Sequence, residues 1–292
     1  MRILVTGGTG NVGRLVVEQL LHAGVAVRVV SRRPGKAVPD GVQMFRGDLA
    51  QPHTLQSAMT GVDRMYLFPF AATAADVVRR AAAARIRRIV TLSSGAVTTG
   101  HDEGFHLPVE QAVEASDLEW THVRPGEFML NKLWLWGPSI RAEQVVRDPF
   151  PDYAGYPVHE RDIADVAVRA LLEDEHRNAV YTLNGPELIS RRDQVRAIAD
   201  AIGQQIRLEV VTPAQARDLY LAQGGFAAAS ADFLTGFKTY SGDTTTPTQA
   251  GPSEAPAPRS VPTAQDVTSA PARPFTVWAR DHATDFQATP GI

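Results

Sequence analysis

Short apolar runs alternate with longer amphipathic stretches along the first hundred residues. Five runs have the length and composition of buried strands, and they cover residues 3–5, 26–31, 42–46, 64–68 and 86–94. Between them, apolar residues recur at helical spacing. Because strands that alternate with helices build a parallel sheet, the pattern predicts an α/β fold with a doubly wound parallel sheet.

A glycine cluster joins the first predicted strand to the first predicted helix. Gly7 can make the tight turn, the missing Cβ of Gly10 lets a pyrophosphate approach the backbone, and Gly13 lets the helix pack closely. The N–H groups at the helix start then face the phosphates. The stretch predicts either a glycine-rich turn without a ligand or a dinucleotide site, whose residues would be Gly7, Thr9, Gly10, Asn11, Val12 and Gly13.

Basic residues follow the second strand, where the adenosine ribose would lie. Sites that select NAD place a carboxylate about 20 residues past the glycines. This chain has Ser31, Arg32 and Arg33 there, with Lys36 close behind. Guanidinium groups pair well with a 2′-phosphate. The sequence therefore predicts NADP(H) rather than NAD(H), unless the two arginines are only solvated surface residues.

Further candidate ligand contacts follow the ends of the later strands. Because ligands of parallel sheets bind at the carboxyl ends of the strands, these residues should gather along one edge. Asp48 either accepts a hydrogen bond from the adenine amino group or caps the helix predicted around residues 54–59. The candidates are Asp48, Leu49, Phe68, Pro69, Ser93 and Pro125.

Charge and cysteine content narrow the class of protein. The net charge of −3 gives no electrostatic argument for a nucleic-acid or anionic membrane partner. The absence of cysteine excludes disulfides, thiolate metal sites and a cysteine nucleophile. The first strand leaves no room for a signal peptide, and no apolar run approaches the roughly 18 residues of a membrane span. We expect a cytoplasmic protein.

The second half of the chain predicts a smaller lobe. Helices are expected over residues 107–115, 163–172, 213–223 and 226–237, with Asp162 as a cap of the second. A Pro/Thr-rich composition predicts an extended, mobile segment before a final amphipathic helix. The predicted parts are a dinucleotide-binding core (1–150), a substrate lobe with returning core elements (151–239), the extended segment (240–274) and a docking helix (275–292).

Several motifs together carry a family resemblance. They are the glycine pattern, Val90-Thr91-Leu92-Ser93-Ser94, Thr121-His122-Val123-Arg124-Pro125 and Asp162-Ile163-Ala164-Asp165-Val166-Ala167. With these the chain resembles the atypical short-chain dehydrogenase/reductases, and among them the NmrA-like NAD(P)-binding proteins. The resemblance covers most of the chain outside residues 240–267. It implies a Rossmann fold, an NAD(P) cofactor, and either a reductase or a regulatory protein.

The resemblance is incomplete at the catalytic residues. Reductases of the wider superfamily use a Tyr-x-x-x-Lys pair to protonate a carbonyl oxygen. The corresponding helix here carries His106 and Glu110 instead. His106 can act as an acid near neutral pH, and Ser93 can orient a carbonyl by hydrogen bonding. Each also has a structural interpretation, His106 as a backbone-satisfied residue that begins a helix and Ser93 as a cap.

An aromatic segment follows the sixth strand. Phe128, Asn131 and Trp134 can line an apolar substrate pocket beside the nicotinamide, or they can belong to the core of the lobe. The acidic and histidine cluster at residues 101–106 has no metal-ligand spacing. No metal site is predicted.

Two functions follow from these observations. The first is an NADPH-dependent oxidoreductase that reduces a small or medium apolar quinone, enone or ketone. Hydride transfer to a quinone or enone leaves charge on a remote oxygen, which solvent or His106 can protonate. The missing Tyr-x-x-x-Lys supports the second, a non-catalytic NADP(H)-sensing regulatory protein of NmrA type with a protein partner.

Overall fold

The chain forms eleven strands and thirteen α-helices within the part described by the computed structural model, residues 1–33, 38–247 and 263–287. The strands are β1 (Arg2–Thr6), β2 (Ala26–Ser31), β3 (Gln43–Arg46), β4 (Arg64–Leu67), β5 (Arg88–Leu92), β6 (Glu119–Pro125), β7 (Val145–Asp148), β8 (Ala154–Gly155), β9 (Ala179–Leu183), β10 (Ile189–Ser190) and β11 (Arg207–Val210).

The helices are of very different lengths. They are α1 (Asn11–His22), α2 (Gln56–Met59), α3 (Ala74–Ala83), α4 (Gly95–Thr98), α5 (Leu107–Glu114), α6 (Asn131–Leu135), α7 (Gly137–Glu143), α8 (Glu160–Leu172), α9 (Arg191–Ile202), α10 (Pro213–Gln223), α11 (Gly225–Leu234), α12 (Ala264–Thr268) and α13 (Phe275–Asp281). Single 3-10 turns cover Pro52–Leu55, Ala71–Thr73, Asp174–His176 and Ala283–Phe286.

A seven-stranded parallel sheet forms the centre of one compact unit. This unit contains Met1–Pro125, Glu160–Leu183 and the described part of Pro262–Pro271. Its strand order is β3-β2-β1-β4-β5-β6-β9. The order reverses between β1 and β4, and such a switch point is where doubly wound sheets bind their ligands. The predicted Rossmann-like fold is confirmed.

Helices cover both faces of this sheet. On one face Leu4, Met65 and Ile89 are fully buried in a core that also includes Val78 of α3 and Val113 of α5. On the other face α8 packs against α1, β4, β5 and β6. Because both faces are covered, the central strands are apolar along nearly their whole length instead of alternating.

A second compact unit contains the described residues of Gly126–His159, Asn184–Val261 and Ala272–Ile292. It holds two small sheets, a parallel pair of β7 with β11 and an antiparallel pair of β8 with β10. Its core includes the fully buried Met129, Phe275 and Trp278. The predicted smaller lobe and final helix are present, and α13 contributes two aromatic side chains to the core of this unit.

The start of α8 and the expected extended segment differ from the sequence-based predictions. Asp162 was expected to cap a helix that begins at residue 163, which is wrong because α8 begins at Glu160. Asp162 lies in its first turn, where a carboxylate still interacts favourably with the helix dipole. The expected extended segment contains the short helix α12, which was not predicted. Residues 248–262 of this segment lie outside the described part of the chain, and so does Lys36.

The two units are interleaved along the chain, whereas the sequence-based parts were consecutive. Among the described residues, no helix is both long and apolar enough to cross a membrane.

Candidate active site

The glycine turn brings the end of β1 into close backbone contact with the start of α1. Gly7 has a φ of +64°, and its carbonyl accepts a hydrogen bond from the Gly10 N–H at 2.8 Å. A Cβ at Gly13 would lie 2.2 Å from the same carbonyl oxygen, and one at Gly8 would lie 2.8 Å from Val29. The turn therefore requires glycine at position 13, because the obstacle there is backbone that cannot rotate away.

The start of α1 fits the diphosphate of a dinucleotide. The helix runs for 12 residues from Asn11, and within the described chain no side chain caps it at Gly10. Thr9 is half-buried, while Gly10 and Asn11 are exposed. The first N–H groups of a helix have no partner inside the helix and lie at the positive end of its dipole. This combination is suited to holding an anion.

The residues after β2 fit a 2′-phosphate. The Arg33 N–H donates a hydrogen bond to Ser31 Oγ at 3.2 Å, which fixes a turn directly after the strand. The side chains of Arg32 and Arg33 are exposed. Two guanidinium groups at the carboxyl end of a strand can bind a phosphate monoester through several hydrogen bonds.

The residues after β3 are held by local hydrogen bonds. Asp48 Oδ1 accepts the Ala50 N–H at 3.0 Å, so this carboxylate closes its own turn. The proposed capping of the following helix by Asp48 is wrong, because no side chain among the described residues caps the 3-10 turn that begins at Pro52. The Leu49 carbonyl accepts a hydrogen bond from Thr73 Oγ1 at 2.6 Å. Contact of Asp48 with adenine stays a prediction.

Phe68 and Pro69 follow β4 beside the glycine turn. The Phe68 N–H donates to Thr6 Oγ1 at 2.7 Å, and a Cβ built on Gly7 would lie 3.1 Å from the Phe68 Cβ. The structure therefore brings the ends of β1 and β4 together, on the two sides of the switch point. Pro125 ends β6 on the same edge.

Ser93 directly follows β5 and is 3 % exposed. Its N–H donates to the Val123 carbonyl at 2.7 Å, whereas its Oγ has hydrogen-bonding geometry with no protein group in the described ranges. The capping role considered for Ser93 belongs to Ser94, whose Oγ accepts the Ala96 N–H at 3.2 Å. Besides the nearby Glu110 carboxylate, whose pKa this hydroxyl lowers, the buried hydroxyl has hydrogen-bonding capacity for a ligand.

Glu110 on α5 lies near the Ser93 hydroxyl. Burial raises the pKa of the Glu110 carboxyl, but the Arg124 guanidinium and the Ser93 hydroxyl outweigh it, and the pKa is lowered. Arg124 Nε donates to Glu110 Oε1 at 2.9 Å, and its Nη2 donates to the other carboxylate oxygen. The Glu110 carboxylate is therefore ionised, and the Arg124 guanidinium neutralises its charge.

His106 immediately precedes α5 and is held by a carboxylate. Its ring Nδ1 is hydrogen-bonded to Asp102 Oδ2, and within the described residues its Nε2 has no partner. Asp102 Oδ1 accepts the N–H groups of Phe105 at 2.9 Å and His106 at 3.0 Å. Sequence reasoning missed Asp102 as a partner, although an acid four residues before a histidine at a helix start was the available signal.

The three residues predicted to bind substrate lie in the second unit. Phe128 and Asn131 are half-buried, and Trp134 is 36 % exposed with its ring 5.3 Å from that of Phe226. Their neighbour Met129 is fully buried in the core of that unit. Part of each of the three side chains is therefore accessible, and their contact with a substrate stays a prediction.

An ion pair between the buried Lys132 and the partly exposed Glu127 lies in the same segment and was not predicted. Lys132 Nζ donates to Glu127 Oε1 at 2.6 Å and lies over the Trp136 ring at 4.7 Å. Burial raises the pKa of Glu127, but Lys132 and Arg191 outweigh it, so that the pKa is lowered. The pair joins Glu127, which precedes Phe128, to Lys132, which follows Asn131.

Comparison with known proteins identifies the family. Residues 7–174 match a family model described as NAD(P)H-binding. A (4-alkanoyl-5-oxo-2,5-dihydrofuran-3-yl)methyl phosphate reductase of Streptomyces griseus is 36 % identical over 97 % of this chain and 99 % of that protein. An NAD(P)H azoreductase of Xenophilus azovorans is 30 % identical over 98 % of this chain and 99 % of its own length.

The fold is shared with solved reductases. Triphenylmethane reductase of a Citrobacter species, solved with NADP(H), superposes with a TM-score of 0.75 at 20 % identity, covering 97 % of this chain and 100 % of that one. An NADPH-dependent quinone oxidoreductase of Escherichia coli, solved with NADPH, gives 0.75 at 21 % identity over 96 % and 99 %. This chain belongs to the NAD(P)H-binding family and has the Rossmann fold of the atypical short-chain dehydrogenase/reductases.

Proposed function

We propose that this protein is an NADPH-dependent oxidoreductase that reduces a conjugated double bond in a small or medium apolar enone or quinone. The proposal is carried by two observations, the buried Ser93 hydroxyl at the end of β5 and the carboxylate-bound His106 at the start of α5. Both belong to the unit that contains the glycine turn. A hydrogen-bond donor and a proton donor are the groups that such a reduction needs besides the cofactor.

The residues of the chain favour NADPH as the reductant. The glycine turn and the start of α1 hold the diphosphate, and Arg32 with Arg33 hold the 2′-phosphate. NADPH, when bound, supplies a hydride from its nicotinamide ring. No carboxylate follows Ser31 at the place where NAD-selective sites have one.

The protein groups supply the remaining steps of the reduction. The acceptor gains two electrons and one hydrogen as hydride at the carbon distal to its carbonyl. The Ser93 hydroxyl donates a hydrogen bond to the carbonyl oxygen, where negative charge develops. His106, protonated, delivers the balancing proton from Nε2 to that oxygen, which forms the enol of the reduced acceptor, and the ring then takes up a new proton from solvent. A ketone would require a proton at the hydride-accepting carbonyl itself, the task for which the superfamily uses its tyrosine.

The relatives support a conjugated acceptor but not its apolar character, because the substrate named for the Streptomyces relative is a phosphate ester. The substrate named for the Streptomyces relative contains a dihydrofuranone ring, in which a carbon–carbon double bond is conjugated with a carbonyl. The Xenophilus relative is named for azo compounds, which also take up a hydride and a proton across a polarised double bond. An acceptor of this kind fits a site without Tyr-x-x-x-Lys.

The test is NADPH oxidation, followed by absorbance, against a panel of quinones, enones and aromatic ketones. We expect turnover of enones or quinones, a loss of about 100-fold in kcat for Ser93→Ala, and a comparable loss for His106→Ala. The exposed Ser57 provides the matched control, Ser57→Ala, which should keep the wild-type rate.

Two outcomes would contradict the proposal. Turnover that is unaffected by Ser93→Ala and His106→Ala would remove these residues from the mechanism. Tight NADPH binding without turnover of any panel member would favour the NADP(H)-sensing regulatory protein instead.

A further inference from the structure

We propose that Asp102 is a positioning residue that holds the His106 ring with its proton on Nδ1, so that Nε2 is the atom that exchanges a proton with the substrate. The proposal rests on the proposed function of His106 as the proton donor. It adds the residue that determines which ring nitrogen performs that function.

The Asp102 carboxylate is held rigidly. One oxygen accepts the backbone N–H groups of Phe105 and His106 at 2.9 and 3.0 Å, and the other oxygen is bonded to His106 Nδ1. The Asp102 side chain is 1 % exposed, and the His106 side chain is 13 % exposed. With three donors on two oxygens, the carboxylate cannot turn away from the ring without breaking backbone hydrogen bonds.

The charge of Asp102 decides the tautomer. Burial raises the pKa of this carboxyl, but the hydrogen bonds from His106 and from the two backbone N–H groups outweigh it, so that its pKa is lowered. An ionised carboxylate can only accept hydrogen bonds. His106 Nδ1 must therefore carry a proton in both charge states of the ring, and the second proton is gained and lost at Nε2.

Asp102 is the carboxylate that is hydrogen-bonded to the His106 ring, whereas the nearby Glu110 is paired with an arginine. Glu110, one turn further along, is matched by Arg124. The buried His122 has different partners, since its Nδ1 meets the Thr91 hydroxyl, which can donate or accept, and its Nε2 lies 3.3 Å from Glu114 Oε1. Burial, together with Arg124 and against the opposing effect of Glu110, lowers the pKa of His122 to about 4.

In the proposed reaction, the proton that moves is therefore the one on His106 Nε2. The protonated ring gives up the hydrogen on Nε2 to the acceptor while hydride reaches the distal carbon, and it keeps the hydrogen on Nδ1. The ring returns to its cationic form by taking a proton from solvent at Nε2. Asp102 stays ionised throughout and keeps its hydrogen bond to Nδ1.

The first measurement is nuclear magnetic resonance of the ring nitrogens in the protein without cofactor, with His106→Gln used to assign the signals. We expect neutral His106 to be protonated at Nδ1 in the wild type. In Asp102→Asn we expect the Nε2-protonated form to gain at least half of the population. Glu103→Gln removes the same charge from an exposed neighbour and should leave the wild-type tautomer.

The second measurement is NADPH-dependent turnover of the same variants. We expect Asp102→Asn to lower kcat at least tenfold with KM for the acceptor changed less than twofold, and Glu103→Gln to match the wild type. Wild-type His106 protonated at Nε2 would overturn the proposal, and this result does not require that Asp102→Asn folds. An unchanged kcat in a folded Asp102→Asn variant with an altered tautomer would also overturn it.

These outcomes separate the two proposals. If the wild type reduces no acceptor, the proposed function fails while the nitrogen spectra still decide whether Asp102 fixes the ring. If turnover is present but the spectra show no Asp102 dependence, the reductase stands and the positioning role fails.

Discussion

His106 and Glu110 are four residues apart, and the resemblance to the wider superfamily implies a tyrosine and a lysine at these two places. A lysine promotes proton donation by tyrosine through its positive charge. In this chain the second residue is Glu110, whose carboxylate is paired with Arg124. A different carboxylate, that of Asp102, is hydrogen-bonded to the His106 ring. The charge pattern suits a cationic donor, and a cationic imidazole donates protons at a lower pH than a phenol.

Gly13 gives a prediction about the cofactor cradle. In Gly13→Ala the new Cβ would meet the Gly7 carbonyl oxygen at 2.2 Å, so the turn must open. We expect the Kd for NADPH to rise at least about tenfold, since displacement of a helix start by a backbone clash costs about 1–3 kcal/mol. Calorimetric titration measures this. Gly104→Ala is the control, because a Cβ there meets nothing within 4 Å.

Arg32 and Arg33 give a prediction about cofactor choice. In the double variant Arg32→Ser, Arg33→Ser, we expect the Kd for NADPH to rise about 10- to 100-fold, because charge-assisted hydrogen bonds contribute about 1.5–3 kcal/mol. The Kd for NADH should stay the same. Arg87→Ser, an exposed arginine that directly precedes β5, should change neither value. Equal affinity of the wild type for both cofactors would refute the assignment.

Arginine side chains from two strands tie the sheet to the end of a helix. The fully buried Arg88 of β5 donates to the Ala170 carbonyl at 2.9 Å and to the Glu173 carbonyl at 2.5 Å. Arg64 of β4 donates to the Leu171 carbonyl at 2.6 Å. The last carbonyls of α8 have no partners inside the helix, so these guanidinium groups satisfy them and also place positive charge at the negative end of its dipole.

Arg88 therefore gives a prediction about stability. Arg88→Ala removes donors from buried carbonyls and leaves a cavity in the sheet. We expect the free energy of unfolding in urea to fall by about 3 kcal/mol or more. Arg87→Ala, its exposed neighbour, should change it by less than about 0.5 kcal/mol. A similar loss in both variants would show that Arg88 does not act through α8.

Strands and helices differ in how far the sequence predicts them. The alternation in the first hundred residues predicts β1 to β5 and the sheet, because each buried strand carries its own apolar pattern. β7 was not predicted, since its four residues lack such a pattern and its partner β11 lies about 60 residues away. Pairing between distant short segments depends on the whole fold and not on either segment.

The residues of the candidate site were likewise predicted only where a local sequence pattern identifies them. The glycine turn could be located because backbone geometry allows few residues there. Arg88, Lys132 and Asp102 could not be assigned, since a charged side chain in a sequence does not show which carbonyl, carboxylate or ring it will meet after folding. His106 and Ser93 were found through the residue types expected at a strand end and a helix start.

For the folded chain, acid stability should depend on His122. Its pKa of about 4 lies below the value of about 6.5 in an unfolded chain. The unfolded state therefore binds the proton first as the pH falls, and stability that is present above about pH 6.5 is lost down to about pH 4. The loss from this residue is at most about 3 kcal/mol.

The measurement is urea unfolding at pH 7 and pH 5. We expect the wild type to lose about 2 kcal/mol more than His122→Gln over this interval. His53→Gln, at an exposed histidine, should lose as much as the wild type. Equal losses in wild type and His122→Gln would show that other groups cause the acid sensitivity.

The interleaving of the two units has a consequence for synthesis. The described chain passes from one unit to the other after residues 125, 159, 183 and 271, and also between residues 247 and 263. A ribosome that has released the first 125 residues has delivered six of the seven sheet strands, but neither β9 nor α8, which covers one face. Although α1 already lies on that face, the part that α8 covers stays uncovered until residue 172 has emerged, so the nascent sheet exposes apolar surface to chaperones during translation.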